Sequence, residues 1–143
     1  MKAVSDFNWP VRVYFEDTDA GGIVYHARYL YFLERARTEW LRDLGFNQSE
    51  LKQQNVMFVV RDMNIKWQKP AMLDEPLDIS VSIVEAKKAS LKMQQIISTT
   101  TEQKVQADVT IACIDAMNKK PMAIPRAIID LITNRIEQGA KCE

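Results

Sequence analysis

The stretch of sequence that decides the fold is residues 15–45, FEDTDAGGIVYHARYLYFLERARTEWLRDLG. Apolar residues recur in its second part near the 3.6-residue period of an α-helix, at positions 29, 32, 33, 36, 40 and 44, with charged residues on most of the other side. Gly45 follows the last apolar position, where a left-handed helix cap is least costly for glycine. The pattern predicts one helix from Tyr29 to Leu44, about 24 Å long, which is enough for the centre of a small domain.

The composition is that of an ordinary soluble domain. The chain has 143 residues, 47% of them hydrophobic and 27% charged, which predicts a single domain over residues 1–143. Nineteen basic and nineteen acidic side chains cancel, so no overall field favours nucleic acid. No secretory signal and no apolar run long enough to span a membrane is seen. Two scattered cysteines and one histidine favour reduced thiols, no metal site and a cytoplasmic location.

Alternating and β-rich runs, separated by short turns, indicate a sheet. A first strand is predicted from Trp9 to Phe15, with Val11, Val13 and Phe15 on one face. Four further strands are predicted after residue 55, at Val56–Trp67, Leu77–Ala86, Ser90–Thr100 and Val105–Met117. The turns between these four are too short for parallel crossovers, so the strands are expected to be antiparallel neighbours.

Two smaller helices complete the predicted fold. Asn47 or Ser49 can cap a short surface helix over Glu50–Gln54. Pro125 opens an amphipathic C-terminal helix that closes near Gly139. The apolar face of that helix is formed by Ile128, Ile129, Ile132 and Ile136. The whole order predicts a two-layer α+β domain in which a sheet of about five strands curls around the long helix. Such a sheet leaves an edge to be covered, which favours a homo-oligomer.

The polar loop before the long helix is the only chemical cluster that the sequence offers. It delivers carboxylates and a histidine to a helix N-terminus, where unpaired backbone N–H groups and the positive end of the helix dipole are available. Gly21 and Gly22 allow backbone turns that are closed to other residues and a close approach to a ligand. By spacing alone, Asp17, Thr18 and Asp19 could equally be turn and capping residues.

The same residues carry a family resemblance. The segments YFEDTDAGGIVYHA at 14–27, YL at 29–30 and FLERAR at 32–37 resemble the hotdog-fold acyl-CoA thioesterases of the 4-hydroxybenzoyl-CoA thioesterase family, and most closely its Tol-Pal-associated acyl-CoA thioesterase branch. The resemblance continues more weakly to about Ile136. It implies a hotdog fold, in which a five-stranded antiparallel sheet wraps around one long central helix, with a short surface helix and a C-terminal helix.

The resemblance also implies an activity and a set of site residues. The expected reaction is hydrolysis of acyl-CoA to free acid and CoA without a cofactor, on short- to medium-chain or aromatic acyl groups, with acyl carrier protein as a further possible partner. The catalytic carboxylate falls on Asp19 and the histidine of this branch on His26. The expected contacts are then oxyanion and positioning groups at Gly22, Tyr25 and His26, and substrate contacts at Tyr29, Phe58, Lys87, Lys88 and Ser90.

Three questions stay open at this point. Asp19 can attack the carbonyl as a nucleophile or activate a water as a general base. A hydratase or dehydratase acting on acyl thioesters shares the fold and would use His26 and Glu34 as acid and base. A different kind of function is also open: a scaffold that binds acyl carrier protein or lipid-synthesis enzymes, with residual hydrolysis. The oligomer is expected to be a dimer or a tetramer.

Overall fold

The computed structural model describes the backbone of residues 7–141 and the side chains of residues 7–135. Its strands are β1 (Phe7–Arg12), β2 (Val56–Trp67), β3 (Pro76–Ala86), β4 (Ser90–Ser98) and β5 (Gln103–Asp115). Its helices are α1 (Arg28–Asp43), α2 (Gln48–Gln53) and α3 (Arg126–Lys141), and a single 3₁₀ turn covers Phe15–Asp17. The predicted α+β hotdog architecture is therefore confirmed.

The five strands form one sheet in the order β1-β3-β4-β5-β2, and every neighbouring pair is antiparallel. The register shifts between Val60 and Asp62 and between Ile83 and Glu85, as at β-bulges. Bulges bend a strand and increase its twist, which lets a long sheet curve around a helix. The two edge strands are β1 and β2.

Helix α1 packs against one face of this sheet, where its apolar stripe is buried. The buried side chains of the helix are Tyr29, Phe32, Leu33, Ala36, Trp40 and Leu41. Phe32 and Leu33 are fully buried, as are Ile79 and Ile97 of the sheet. Each such side chain stabilises the fold by about 1.5–3 kcal/mol relative to exposure. Gly45 ends the helix region with φ +99°, the left-handed conformation that the sequence predicts.

The first strand differs from its prediction. It begins at Phe7 and ends at Arg12, and Phe15 is 82% exposed although the alternation places it on the buried face. The cause is Asp17, whose Oδ2 accepts a hydrogen bond from the Tyr14 N–H at 2.8 Å. That bond turns the chain into the 3₁₀ turn and stops the alternation after Val13.

The other two helices form close to where the sequence places them. Asn47 Oδ1 accepts a hydrogen bond from the Glu50 N–H at 2.9 Å, so Asn47 is the cap of α2. Helix α3 buries Ile128 and Ile132 and runs to Lys141, slightly beyond the predicted end near Gly139. The side chain of Ile136 lies outside the described residues. Among the helices within residues 7–141, none is long and apolar enough to cross a membrane.

Candidate active site

The loop between the 3₁₀ turn and α1 folds back on itself as a tight hairpin. Thr18 pairs with Val24, and the Asp19 N–H donates to the Ile23 carbonyl oxygen at 2.9 Å. The Gly22 N–H donates to the Asp19 carbonyl oxygen at 3.0 Å. Gly22 has φ +80°, which glycine adopts without the steric strain of a side chain. The hairpin tip is therefore formed by Asp19 and the three residues after it.

Asp19 presents an exposed carboxylate at this tip. Its Oδ1 accepts a hydrogen bond from the Gly21 N–H at 2.8 Å, which holds the carboxylate against its own turn. A Cβ atom added to Gly21 would lie 3.2 Å from that oxygen, so the glycine permits the close approach. Among the described residues, Oδ2 has no hydrogen-bond partner. The carboxylate is thus fixed by one oxygen and free to act through the other.

Asp17 has a structural role in the same loop. Its side chain is 4% exposed, and its Oδ1 accepts from Arg28 Nε at 2.7 Å while its Oδ2 accepts from the Tyr14 N–H. This hydrogen bond is the main cause that raises the pKa of Arg28. The pair links the 3₁₀ turn to the first residue of α1. Of the two aspartates, Asp17 is committed to the fold and Asp19 faces outward.

The loop is fastened to the segment between β2 and β3. The Val24 N–H donates to the Ala71 carbonyl oxygen at 2.9 Å, and Ile23 forms an isolated bridge with Met72. The Ala71 N–H donates in turn to the Tyr29 hydroxyl at 3.0 Å. Tyr29 is 3% exposed, and burial raises the pKa of its phenol. Through its bond to Ala71, the buried side chain supports the loop from the interior of the protein. This differs from the substrate contact that the sequence predicts for Tyr29.

His26 stands exposed just before α1 and is held by aromatic neighbours. Its ring centroid lies 4.5 Å from that of Tyr25 and 6.1 Å from that of Trp67, which meets it edge-on. Trp67 Nε1 also donates to the His26 carbonyl oxygen at 3.0 Å. The anchoring residues Trp67, Ala71 and Arg28 are ones that the sequence did not identify for this role. Their contacts join distant parts of the chain, which no local spacing reveals.

The backbone donors at the start of α1 are unequal. The Tyr25 N–H donates to the Asp17 carbonyl oxygen at 3.0 Å, so this amide is already paired, and an oxyanion contact at Tyr25 stays a prediction. Among the described residues, the N–H groups of His26 and Ala27 have no acceptor, and no side chain caps this helix. Free N–H groups at the positive end of a helix are suited to receive negative charge on an oxygen.

The predicted nucleotide contacts lie elsewhere on the chain. Lys87 and Lys88 form the turn between β3 and β4, closed by a hydrogen bond of 2.8 Å from the Lys87 N–H to the Ser90 carbonyl oxygen. Ser90 is 7% exposed, so its side chain offers little surface to a ligand, whereas the Lys87 side chain is 59% exposed. Lys87 Nζ lies 3.8 Å from Glu85 Oε1, which partly neutralises the turn.

This lysine turn and the Asp19 loop are at opposite ends of β3. The register pairs Arg12 with Pro76 at the start of β3, and the Asp19 loop follows β1 directly. The lysine turn follows Ala86 at the other end of the 11-residue strand. At about 3.3 Å per residue, the separation along the strand is roughly 30 Å. The structure does not bring these two predicted parts of the site together within one chain.

Phe58 is also separate from the Asp19 loop. It lines a hollow of about 310 Å³ between α1 and the sheet, together with Glu34 and Trp40. No residue of the Asp19 loop is among the described residues that line this hollow. Glu34 is exposed and lies at the rim of the hollow.

Comparisons with known proteins identify the family of the chain. Residues 13–132 match the thioesterase-like superfamily. The acyl-CoA thioester hydrolase YbgC of Escherichia coli O6:H1 is 46% identical over 124 residues, covering 86% of this chain and 92% of that protein. The acyl-CoA thioesterase YbgC of Haemophilus influenzae is also 46% identical, over 85% of this chain and 90% of that protein. A crystal structure of a probable thioesterase from Bartonella henselae superposes with a TM-score of 0.80 at 41% identity, covering 83% of this chain and 98% of the other.

Proposed function

This chain belongs to the thioesterase-like superfamily and is an acyl-CoA thioesterase, and on that premise we propose that Asp19 is its catalytic carboxylate. The observation that carries the proposal is the carboxylate at the hairpin tip, held through Oδ1 by the Gly21 N–H with Oδ2 unpaired among the described residues. A fixed and exposed carboxylate on the loop that leads into a helix with free N-terminal amides supplies the two kinds of group that thioester hydrolysis uses.

In the reaction, the thioester carbonyl oxygen becomes negatively charged as the carbon becomes tetrahedral. The N–H groups of His26 and Ala27 supply donors for that oxygen at the start of α1. Asp19 either removes a proton from the attacking water or attacks the carbonyl carbon itself, forming an anhydride that water then opens. In both routes the C–S bond breaks, the CoA sulfur takes a proton and the acid is released.

His26 and Gly22 serve as positioning groups in this proposal. The exposed imidazole of His26 stands between Tyr25 and Trp67, where it can orient the thioester without replacing the backbone donors. Gly22 permits the turn that presents Asp19. Both roles depend on the hairpin geometry.

The substrate is proposed to be a short- to medium-chain or aromatic acyl-CoA bound between two copies of the chain. Lys87 and Lys88 lie far from Asp19 in one copy, so they would contact the CoA phosphates of a site whose carboxylate comes from another. Strand β2 offers the surface for such pairing, because its 12 residues form a sheet edge on which Val60 and Trp67 are exposed. We place this homo-oligomer in the cytoplasm.

Replacement of Asp19 by Asn tests the proposal directly. The variant keeps the shape of the side chain and its hydrogen bond to Gly21 but loses the charge, so we expect acyl-CoA hydrolysis to fall by about 100-fold or more with an unchanged melting temperature. Asp108→Asn, which removes an exposed carboxylate from β5, is the matched control and should keep full activity. A folded Asp19→Asn variant that retains more than about a tenth of the rate, a barrier change under about 1.4 kcal/mol, would reject Asp19 as the central group.

A further inference from the structure

The hollow beside α1 contains a half-buried cation, Arg37. Among the residues that line it are the apolar side chains Trp40, Leu41, Phe58, Leu91, Met93 and Ile111, and Arg37 lies among them. Its volume of about 310 Å³ is at the lower end of small-molecule sites. A mainly apolar hollow with a few polar groups, here Arg37 inside it and Glu34 at its rim, is the usual form of a small-molecule pocket.

Arg37 is held in place but is not neutralised. Its Nη1 donates to Gln95 Oε1 at 3.0 Å, and Gln95 Nε2 donates to the Leu33 carbonyl oxygen at 3.1 Å. Gln95 is fully buried, so these two consecutive hydrogen bonds fix the position of the guanidinium. Among the described side chains, no carboxylate forms an ion pair with Arg37 within 4 Å, although the charge of Glu34 at the rim attracts it. Burial lowers the pKa of Arg37, as expected for a cation without a close anion.

A guanidinium has five N–H donors in a planar fork that matches a carboxylate. Only one of those donors has a described partner within the protein. A carboxylate entering the hollow would find unused donors and would relieve the cost of the isolated charge. The apolar walls would cover the rest of the same molecule.

We propose that this hollow binds a monocarboxylic acid with an apolar body, its carboxylate on Arg37 and its body against Phe58, Leu91 and Met93. At roughly 30 Å³ for each water in the liquid, the hollow has the volume of about ten waters, which is enough room for a small acid such as octanoate. Acids of this class are also what thioester hydrolysis releases. Within one chain the hollow is separate from the Asp19 loop, and the assignment does not depend on the role of Asp19.

Methyl NMR of the full chain, labelled with ¹³C at the methionine methyl groups, locates such a ligand. Met93 lines the hollow, whereas Met72 is exposed and pairs with Ile23 beside the Asp19 loop. We expect octanoate to shift the Met93 signal with saturation and to leave the Met72 signal in place. 1-Octanol, which has the same apolar body without the charge, should need at least tenfold more ligand for the same shift. Shifts at Met72 alone, or equal binding of the acid and the alcohol, would overturn the proposal.

Variants of the helix separate the guanidinium from general charge effects. Arg37→Met should remove the preference for octanoate over octanol, and Arg37→Lys should keep part of it. Arg35→Met, which removes an exposed cation two residues away and outside the hollow, is the matched control and should keep the full preference. Glu34→Gln should strengthen octanoate binding. An equal loss in the Arg35 and Arg37 variants contradicts the assignment; if Arg37→Met does not fold, the Met93 titration of the parent protein and of Arg37→Lys decides.

Discussion

The hydroxyl of Tyr29 accepts a hydrogen bond of 3.0 Å from the backbone N–H of Ala71. The bond joins the first turn of α1 to the segment between β2 and β3. Ala71 passes the connection on, because its carbonyl oxygen accepts from the Val24 N–H within the Asp19 loop. The position of the loop therefore depends on a side chain that does not reach its surface.

Tyr29→Phe should weaken both the fold and the catalysis. The variant keeps the packing of the ring but leaves the N–H of the fully buried Ala71 without its partner. We expect the free energy of unfolding to fall by about 1–3 kcal/mol. The kcat should fall several-fold, since Val24 shares the anchor. Denaturant unfolding and steady-state hydrolysis measure the two effects.

The control for this variant is Tyr31→Phe on the exposed side of the same helix, which should change neither the stability nor kcat.

The dependence of stability on high pH provides a second measurement. Burial raises the pKa of Tyr29 above its ordinary value near 10, so the folded state keeps the phenol neutral. Its contribution to stability is full below about pH 10 and is lost as the pH rises through the folded pKa. An equal fall in stability for Tyr29→Phe over that range would show that Tyr29 is not the group concerned.

Asp17→Asn should lower the melting temperature, in contrast to Asp19→Asn. The buried carboxylate of Asp17 accepts hydrogen bonds from both Tyr14 and Arg28, and an amide cannot accept with both of its side-chain atoms. We expect thermal unfolding several degrees lower and a partial loss of kcat through the shifted loop. Glu16→Gln, on an exposed partner of the same arginine at 3.6 Å, should melt like the parent. An unchanged melting temperature in Asp17→Asn would contradict a structural role for Asp17.

His26→Ala should reduce hydrolysis less than Asp19→Asn does. The backbone donors of His26 and Ala27 survive this substitution, so only the positioning by the imidazole is lost; we expect a fall in kcat/KM of roughly tenfold. Parallel assays of both variants on one acyl-CoA make the comparison. A larger loss for His26→Ala, together with hydration of a 2-enoyl thioester by the parent protein, would favour the hydratase chemistry that the sequence leaves open.

Replacement of Lys87 and Lys88 by Ala should raise the KM for acyl-CoA and leave kcat nearly unchanged. The phosphates of CoA are remote from the reacting carbonyl, so the lost contacts are equal in the ground and transition states. We expect about 0.5–1 kcal/mol per lysine, decreasing with added salt. Measurements of KM at low and high ionic strength test this.

Two controls accompany the lysine variant. Lys52→Ala removes an exposed lysine from α2 and should leave KM unchanged. An N-acetylcysteamine thioester has no nucleotide phosphates and should be hydrolysed equally by the parent and the variant. An unchanged KM for acyl-CoA at low salt would place the nucleotide elsewhere, and an equal loss on the truncated ester would indicate a disturbed fold.

The regular elements could be predicted from the sequence because their signals are local. The helical period around Phe32 and Leu33 and the alternation of β2 are each set by neighbouring residues. The contacts of the site are not. In the helical pattern Tyr29 is simply one more apolar position, so the pattern does not predict its hydrogen bond to Ala71. Phe15 continues the alternation of β1 in the sequence, but the hydrogen bond from the Tyr14 N–H to the Asp17 side chain ends that alternation, and a pattern of apolar residues does not show such a bond.

Local sequence patterns also do not predict how far apart the site residues lie in the fold. Lys87 and Asp19 belong to one expected site, but the pairing of β1 with β3 sets them at opposite ends of a strand. Arg37 is one of several charged residues on the helix by spacing. Only the packing of Gln95 shows that it faces inward.

The anchoring of the Asp19 loop has a consequence for the order of folding. The bond between Tyr29 and Ala71 spans 42 residues, and Val13 is paired with Glu75 at a still greater separation. Contacts of such long range form only after the intervening chain has been closed into a loop, which is slow compared with helix formation. During synthesis, α1 can therefore form well before its active site exists. We therefore expect catalytic activity to appear late in folding, only when the segment after β2 has docked.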